Sequence, residues 1–321
     1  MKFNVNQNDL QQSLGYCQGV IEKRSTLPIL SNILIDAAGS KLKIIATDLD
    51  LIFINEIKNV EIIEEGKTTT TSSIMYDIIR KFNSGKKINF NQTSDNKIQL
   101  ESEKSIFNLN CISASEFPIT EEAFNSNEFS IKSKELLKLL DKCKFSISND
   151  ETRHYLSGIY LHQTRLEDKI YLTAVATDSH RMSISKILLK DEIQFDPIIL
   201  PKKTIYQLVN LLEDYEGDVK ISNEKSKIKF EMENSILISK LIDGKFPNYI
   251  QVIPKNNKKR LEIDLKLFMD SVDRVASVSL DKKDSVKFIL TKDKLNMAVN
   301  NTSSGDGNET INVSFDHELN I

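Results

Sequence analysis

Residues Thr173 to Met182 read TAVATDSHRM, and the Ala-Thr-Asp at 176–178 has already occurred at 46–48, in KIIATDLDL. Each copy follows a short apolar run (Leu42, Ile44 and Ile45; Ile170, Leu172 and Val175), so each reads as a strand running into a turn. The copies stand 130 residues apart. Glu-Phe-Pro at 116–118 and Lys-Phe-Pro at 245–247 repeat at an offset of 129. Two unrelated landmarks sharing one interval indicate duplication of a unit of domain size, far longer than a solenoid repeat. With 321 residues the chain holds two full units and about half of a third. The expected domains are 1–125, 126–254 and an incomplete 255–321.

A composition of 40% hydrophobic and 28% charged residues, without an apolar run of membrane-spanning length, points to a soluble protein. MKFNVNQNDL lacks the apolar core of a signal peptide, so a cytoplasmic location is expected. Cys17, Cys111 and Cys143 show no CxxC spacing and read as reduced, buried thiols.

In the first unit, strands are expected near 1–5, 32–38, 41–47, 51–58, 67–71, 87–92, 97–101 and 105–111. A helix over about 9–22, capped by Asn8 or Asp9, turns Leu10, Leu14, Cys17 and Ile21 inward. A second helix over about 73–83 buries Ile74, Ile78, Ile79 and Phe82. The second unit repeats the order: strand 127–131, helix 133–146, strands 155–163, 169–176 and 181–187, a helix from Pro201 to Glu213, then strands 218–222, 227–232 and 235–242. The third has a strand at 260–263, a helix at 264–278 and strands at 285–291, 294–300 and 309–313. Each unit is thus two helices with two short antiparallel sheets, an α+β arrangement.

Lys134, Lys138 and Lys142, four residues apart, form one cationic row on their helix, with Leu136, Leu137, Leu140 and Cys143 on other faces. Arg80 and Lys81, Lys202 and Lys203, and Lys266 and Arg274 add positive charge to other helices. Tandem domains turning such faces the same way would attract phosphate backbone without reading bases. No phosphate-binding loop, nucleophile elbow or metal-ligand spacing occurs, and no cofactor or metal is expected. Asp178 and His180 offer the only conceivable general base; the first Ala-Thr-Asp has no histidine beside it. Gly305-Asp306-Gly307 reads as a flexible turn, and PKNNKKR at 254–260 as a solvated linker.

MKF at the start, RSTLPIL at 24–30, ATDLD at 46–50, RHYLSGI at 153–159, ATDSHR at 176–181 and KLIDGKFPNYIQVIPK at 240–255 together resemble the bacterial β sliding clamp family, the processivity subunits of DNA polymerase III. The resemblance spans the whole chain. It implies a DNA clamp fold: three similar domains per chain, and two chains closed head to tail into a ring around duplex DNA, helices inside and sheets outside. The implied function is to tether the polymerase to DNA, with no catalytic activity.

The resemblance also assigns residues. Arg24, Asn149, His154, Tyr155, Lys202 and Lys203 match DNA-facing positions, joining Arg80, Lys134, Lys138 and Lys142 from the charge pattern. A pocket between domains two and three, receiving peptides from the polymerase, the clamp loader and repair enzymes, matches Leu156, Thr177, Ser179, His180, Arg181, Met182, Pro247, Gln251 and Val252. Phe107 and Val278 match the subunit junction. The family continues beyond Ile321, so a truncated form with a weakened pocket and impaired ring closure is expected. The alternatives are a peptide-binding scaffold that does not engage DNA, and an enzyme built on Asp178 and His180.

Overall fold

The computed structural model describes residues 1–22, 26–119, 124, 128–279, 285–315 and 317–320. Two compact units emerge, Met1–Phe246 and Pro247–Ile321.

Five α-helices punctuate the described residues: α1 (Gln7–Cys17), α2 (Ser72–Ile79), α3 (Ser133–Lys144), α4 (Lys202–Glu213) and α5 (Leu265–Ala276). α1 starts earlier than the sequence pattern suggests. Asn6, not Asn8 or Asp9, is its cap, and its side-chain oxygen accepts from the Asn8 N–H. The helix ends at Cys17, five residues short of the expected end. α2 begins at Ser72 and ends at Ile79; Ile79 is buried and Ile78 and Phe82 lie against the core as expected, whereas Met75 is buried and Ile74 faces solvent. In α3 Leu139, rather than Leu137, joins Leu136, Leu140 and Cys143 in the core.

The duplication is visible as repeated order. Strand Lys2–Asn6, α1, and strands Asn32–Ala38, Lys41–Thr47 and Leu51–Ile57 correspond to strand Glu128–Lys132, α3, and strands Gly158–Leu166, Lys169–Thr177 and Met182–Leu188. Sequence reading missed Val60–Glu64 and Ile198–Pro201, where adjacent apolar residues (Ile62 and Ile63; Ile198, Ile199 and Leu200) break the alternation.

The sheets do not stay within their repeats as expected. Strand Leu51–Ile57 pairs antiparallel with Ser235–Lys240, from Ser235↔Asn55 to Ser239↔Leu51. One 13-stranded sheet therefore runs through both repeats. The separate-sheet expectation fails because both strands would otherwise present unpaired edges. Side chains reinforce the seam. Asn55 Nδ2 donates to Asn234 O (2.9 Å) and Ser235 Oγ (2.8 Å), and Lys240 reaches Asp50 at 2.8 Å. The Gln207 amide donates to Tyr16 O (2.9 Å), and the Tyr16 hydroxyl to Asp214 (3.0 Å). Burial and the Asp214 carboxylate push the Tyr16 hydroxyl up to about 12. One apolar core runs across this seam. α2 packs on α1, α1 on α4 and α4 on α3, a contiguous row of four helices.

In the second unit, α5 covers strands Lys287–Thr291, Lys294–Asn301 and Gly305–Asn312, with Val275, Leu290, Leu295, Met297 and Val299 between them. The expected strand at 260–263 is reduced to a single bridge, Glu262 to Ser314. The SSGDGNE stretch is not the flexible turn expected. Gly305 to Asn312 pair along the whole of Lys294–Asn301. Here glycine is needed for close approach: a Cβ on Gly307 would stand 3.0 Å from Val278 Cγ2 and 3.2 Å from Val275 O. All three cysteines are free and buried, and burial pushes the Cys143 thiol up to about 12.

Candidate nucleic-acid and peptide interface

The two Ala-Thr-Asp segments fold into one and the same turn. In the first, Thr47 Oγ1 accepts from Leu49 N (3.0 Å), and Asp48 Oδ1 accepts from the N–H groups of Asp50 (3.0 Å) and Leu51 (2.7 Å). In the second, Thr177 Oγ1 accepts from Ser179 N (3.2 Å), and Asp178 Oδ1 from His180 N and Arg181 N (both 3.0 Å). The third turn residue has positive φ in both, Leu49 at 80° and Ser179 at 78°. Thr and Asp are there because their short side chains replace missing backbone acceptors. Asp178 is thereby committed to the turn, as Asp48 is where no histidine is present, so it does not orient His180 as a base.

Around the second turn the candidate peptide residues of the first unit gather. Thr177 Oγ1 also donates to Arg181 O (2.8 Å), and the Arg181 side chain pairs with Asp178 at 3.0 Å. Burial raises the Asp178 carboxyl, but the Arg181 and His180 N–H groups and the Arg181 guanidinium outweigh it, holding it below the usual range. The short 3-10 turn Glu151–Leu156 is tied on by Arg153, which donates to Ser179 Oγ (2.6 Å) and Asp150 (2.8 Å). The Thr152 hydroxyl, then Arg153, hold the Asp150 carboxyl low. Leu156 is buried beneath; Ser179, His180 and Arg181 are exposed and Met182 half-buried. Pro247, Gln251 and Val252 lie in the second unit, all exposed, on or beside the 3-10 turn Tyr249–Val252.

The cations divide into two groups. On α3, Lys134, Lys138 and Lys142 are all exposed. Lys134 pairs with Glu216 at 2.7 Å, while Lys138 and Lys142 form no ion pair among the described residues. Lys202 donates to the neutral Asn149 side chain. His154 Nε2 lies 3.2 Å from Asp243 O, and Tyr155 packs edge-on against it. Arg80 is partly neutralised by Asp77 at 2.9 Å. Lys203 belongs to a different group from the one expected. Its ammonium donates to Asp48 and to Val20 O (2.7 Å), bracing the two repeats. Arg274 likewise turns back to Glu309 and Ser271 of its own unit. Arg24 lies outside the described residues.

Phe107 is exposed beside Phe82, at 5.7 Å between ring centres. Val278 is half-covered by Gly305 and Gly307. Sequence reading missed the Lys203–Asp48 brace and the Arg153–Ser179 tie, because nothing local pairs residues so far apart. The turn chemistry was available to it: a Thr-Asp pair followed by free N–H groups is a known turn builder.

Three family models match in tandem: the N-terminal domain of the DNA polymerase III beta subunit over residues 1–121, its central domain over 130–248 and its C-terminal domain over 250–321. The chain belongs to the bacterial β sliding clamp family. The β sliding clamp of Caulobacter vibrioides is 36% identical over 320 residues, covering 99% of this chain and 86% of that protein. The Escherichia coli clamp is 29% identical over 315 residues, 98% of this chain and 85% of that one. Among solved structures, the Bartonella birtlesii sliding clamp bound to griselimycin superposes with a TM-score of 0.93 at 34% identity, covering all of this chain and 86% of that one. Clamps of this family are dimeric accessory factors of DNA polymerase III that work on DNA and catalyse nothing, and this chain is a clamp of that kind. No described helix is long and apolar enough to cross a membrane.

Proposed function

We propose that two copies of this chain close head to tail around duplex DNA and hold the polymerase there. Three tandem clamp domains, matched over 1–121, 130–248 and 250–321 where boundaries near 125 and 254 were expected, give the chain its part of the ring. The observation that carries the reading is the α3 row, where Lys138 and Lys142 stand exposed with no ion pair among the described residues. Together with Lys134, Arg24, Arg80, Asn149, His154, Tyr155 and Lys202 they meet phosphates without reading bases. Lys203 is left to the seam. Partner peptides, from the polymerase catalytic subunit and the clamp loader among others, contact Leu156, Thr177, Ser179, His180, Arg181 and Met182 on the first unit. Pro247, Gln251 and Val252 are their contacts on the second. A buried leucine with a rim of fixed polar groups suits a short peptide with apolar anchors. Phe107 and Val278 belong to the subunit junction, and the cytoplasm is the working compartment.

The test is loading onto circular DNA by the clamp loader. Replacing Lys134, Lys138 and Lys142 together by Gln is expected to lower loading or retention severalfold with the thermal midpoint kept. Loading at the unaltered rate would overturn the assignment of this row.

A further inference from the structure

The end of α3 and the start of α4 carry aromatic rings and cations in alternation. The Arg181 guanidinium carbon stands 5.4 Å from the centre of the Phe145 ring. Lys144, next to Phe145, lies 6.0 Å from the Tyr206 ring, and Lys202 lies 5.9 Å from the same ring. Phe145 is 57% exposed and Tyr206 46% exposed. With Phe107 they are the only exposed Phe and Tyr side chains among the described residues, and two of the three sit in this row. Leaving such rings in water forgoes the stabilisation that burial would give. The core does not use them: α3 buries Leu136, Leu139, Leu140 and Cys143 instead, and α4 buries Ile205, Leu208, Leu211 and Leu212.

The charges around the rings are part of the case. Lys144 is paired with Asp141 at 2.6 Å and Arg181 with Asp178. Lys202 donates to the neutral Asn149, and among the described residues neither Lys202 nor Lys142, one turn before Phe145, has an ion pair. The row is therefore net positive. Exposed rings bordered by cations that a strand can displace or share suit nucleic acid whose bases are unpaired: bases stack on the rings while phosphates meet the ammonium groups. A duplex keeps its base faces stacked internally and cannot use the rings.

We infer that Phe145 and Tyr206, flanked by Lys144 and Lys202, form a binding site for single-stranded nucleic acid that shares Lys202 with the duplex contacts and differs from them in its rings. The clamp reading above explains why nucleic acid comes near. The site itself follows from the rings.

The experiment measures binding of the full chain to a labelled oligothymidylate of roughly 20 nucleotides. A hairpin duplex of similar charge is measured beside it, at roughly 50 mM salt where phosphate attraction is little screened. Phe145→Ala and Tyr206→Ala are each expected to weaken oligothymidylate binding on the order of tenfold and to leave the hairpin unchanged. Tyr206→Phe, which keeps the ring face, should bind the single strand like the unaltered chain. Unchanged oligothymidylate binding in both alanine variants would overturn the inference. So would a parallel loss on the hairpin, or displacement of the strand by a poly-glutamate peptide as readily as by unlabelled oligothymidylate. Loading on circular DNA is scored separately: if the unaltered chain fails to load while the single-strand result stands, the clamp reading falls and this site remains.

Discussion

The turns at 47–51 and 177–181 share sequence, hydrogen bonds and the positive φ of their third residue, yet they serve different ends. At the first, the other oxygen of Asp48 meets Lys203 from the second repeat, and Lys240 pairs with Asp50 beside it. That turn is consumed by the seam. At the second, the corresponding oxygen of Asp178 meets Arg181 of the same turn, and the next two positions are exposed Ser179 and His180. Duplication supplied the same backbone twice. What packs against each copy decided which became a joint and which stayed open to a partner. Asp48 keeps 7% of its side chain in solvent and Asp178 22%, which sets the order of effects expected below.

Asp48→Ala should cost most. It strips acceptors from two N–H groups and leaves the Lys203 ammonium without its counter-ion, a loss of about 2–4 kcal/mol in denaturant unfolding. Asp178→Ala removes the same two acceptors at a wetter site and should cost about 1–2 kcal/mol. It also frees Arg181, so peptide affinity should fall while the Asp48 variant keeps it. Equal destabilisation by the two would erase the distinction drawn here.

Acid sharpens it further. The folded pKa of Asp178 lies below that of the unfolded chain, so its stabilisation is full above the ordinary carboxylate range and is lost as pH falls through the lowered value. Asp178→Asn should flatten that part of the unfolding curve below about pH 4. A curve of unchanged slope would show the turn carboxylate to be unlinked to folding. The smallest effect is steric. Glycine relieves the positive φ at either turn, so Leu49→Gly should gain up to about 1 kcal/mol in thermal or chemical unfolding, and Ser179→Gly less, because it also loses the acceptor of Arg153. A loss at both positions would mean that side-chain contacts outweigh backbone strain there.

Much of this was legible in the residues. The repeated Ala-Thr-Asp gave the period, and alternation gave most strands. The spacing of Lys134, Lys138 and Lys142 placed them on one open face. The missed parts depend on contacts that no local pattern encodes. In α2 Ile79, Ile78 and Phe82 face the core as expected, but Met75 takes the buried place expected of Ile74. Gly305 and Gly307 were read as a loop since glycine is usually a breaker; here their lack of a side chain lets Val278 sit close. Lys203 was expected at a DNA-facing position from the family resemblance; its brace to Asp48, 155 residues away, no local pattern could show. The aromatic row was invisible for the same reason: Lys144, beside Phe145, comes near Tyr206 only when α3 and α4 pack side by side.

The seam between Leu51–Ile57 and Ser235–Lys240 has a mechanical consequence. Prising those strands apart would break a five-pair ladder and open the shared core at once, so the first two repeats behave as one stiff arm. Any compliance that lets a closed ring admit a DNA molecule must then come from another joint, and substitutions that soften this one should damage folding before they ease entry.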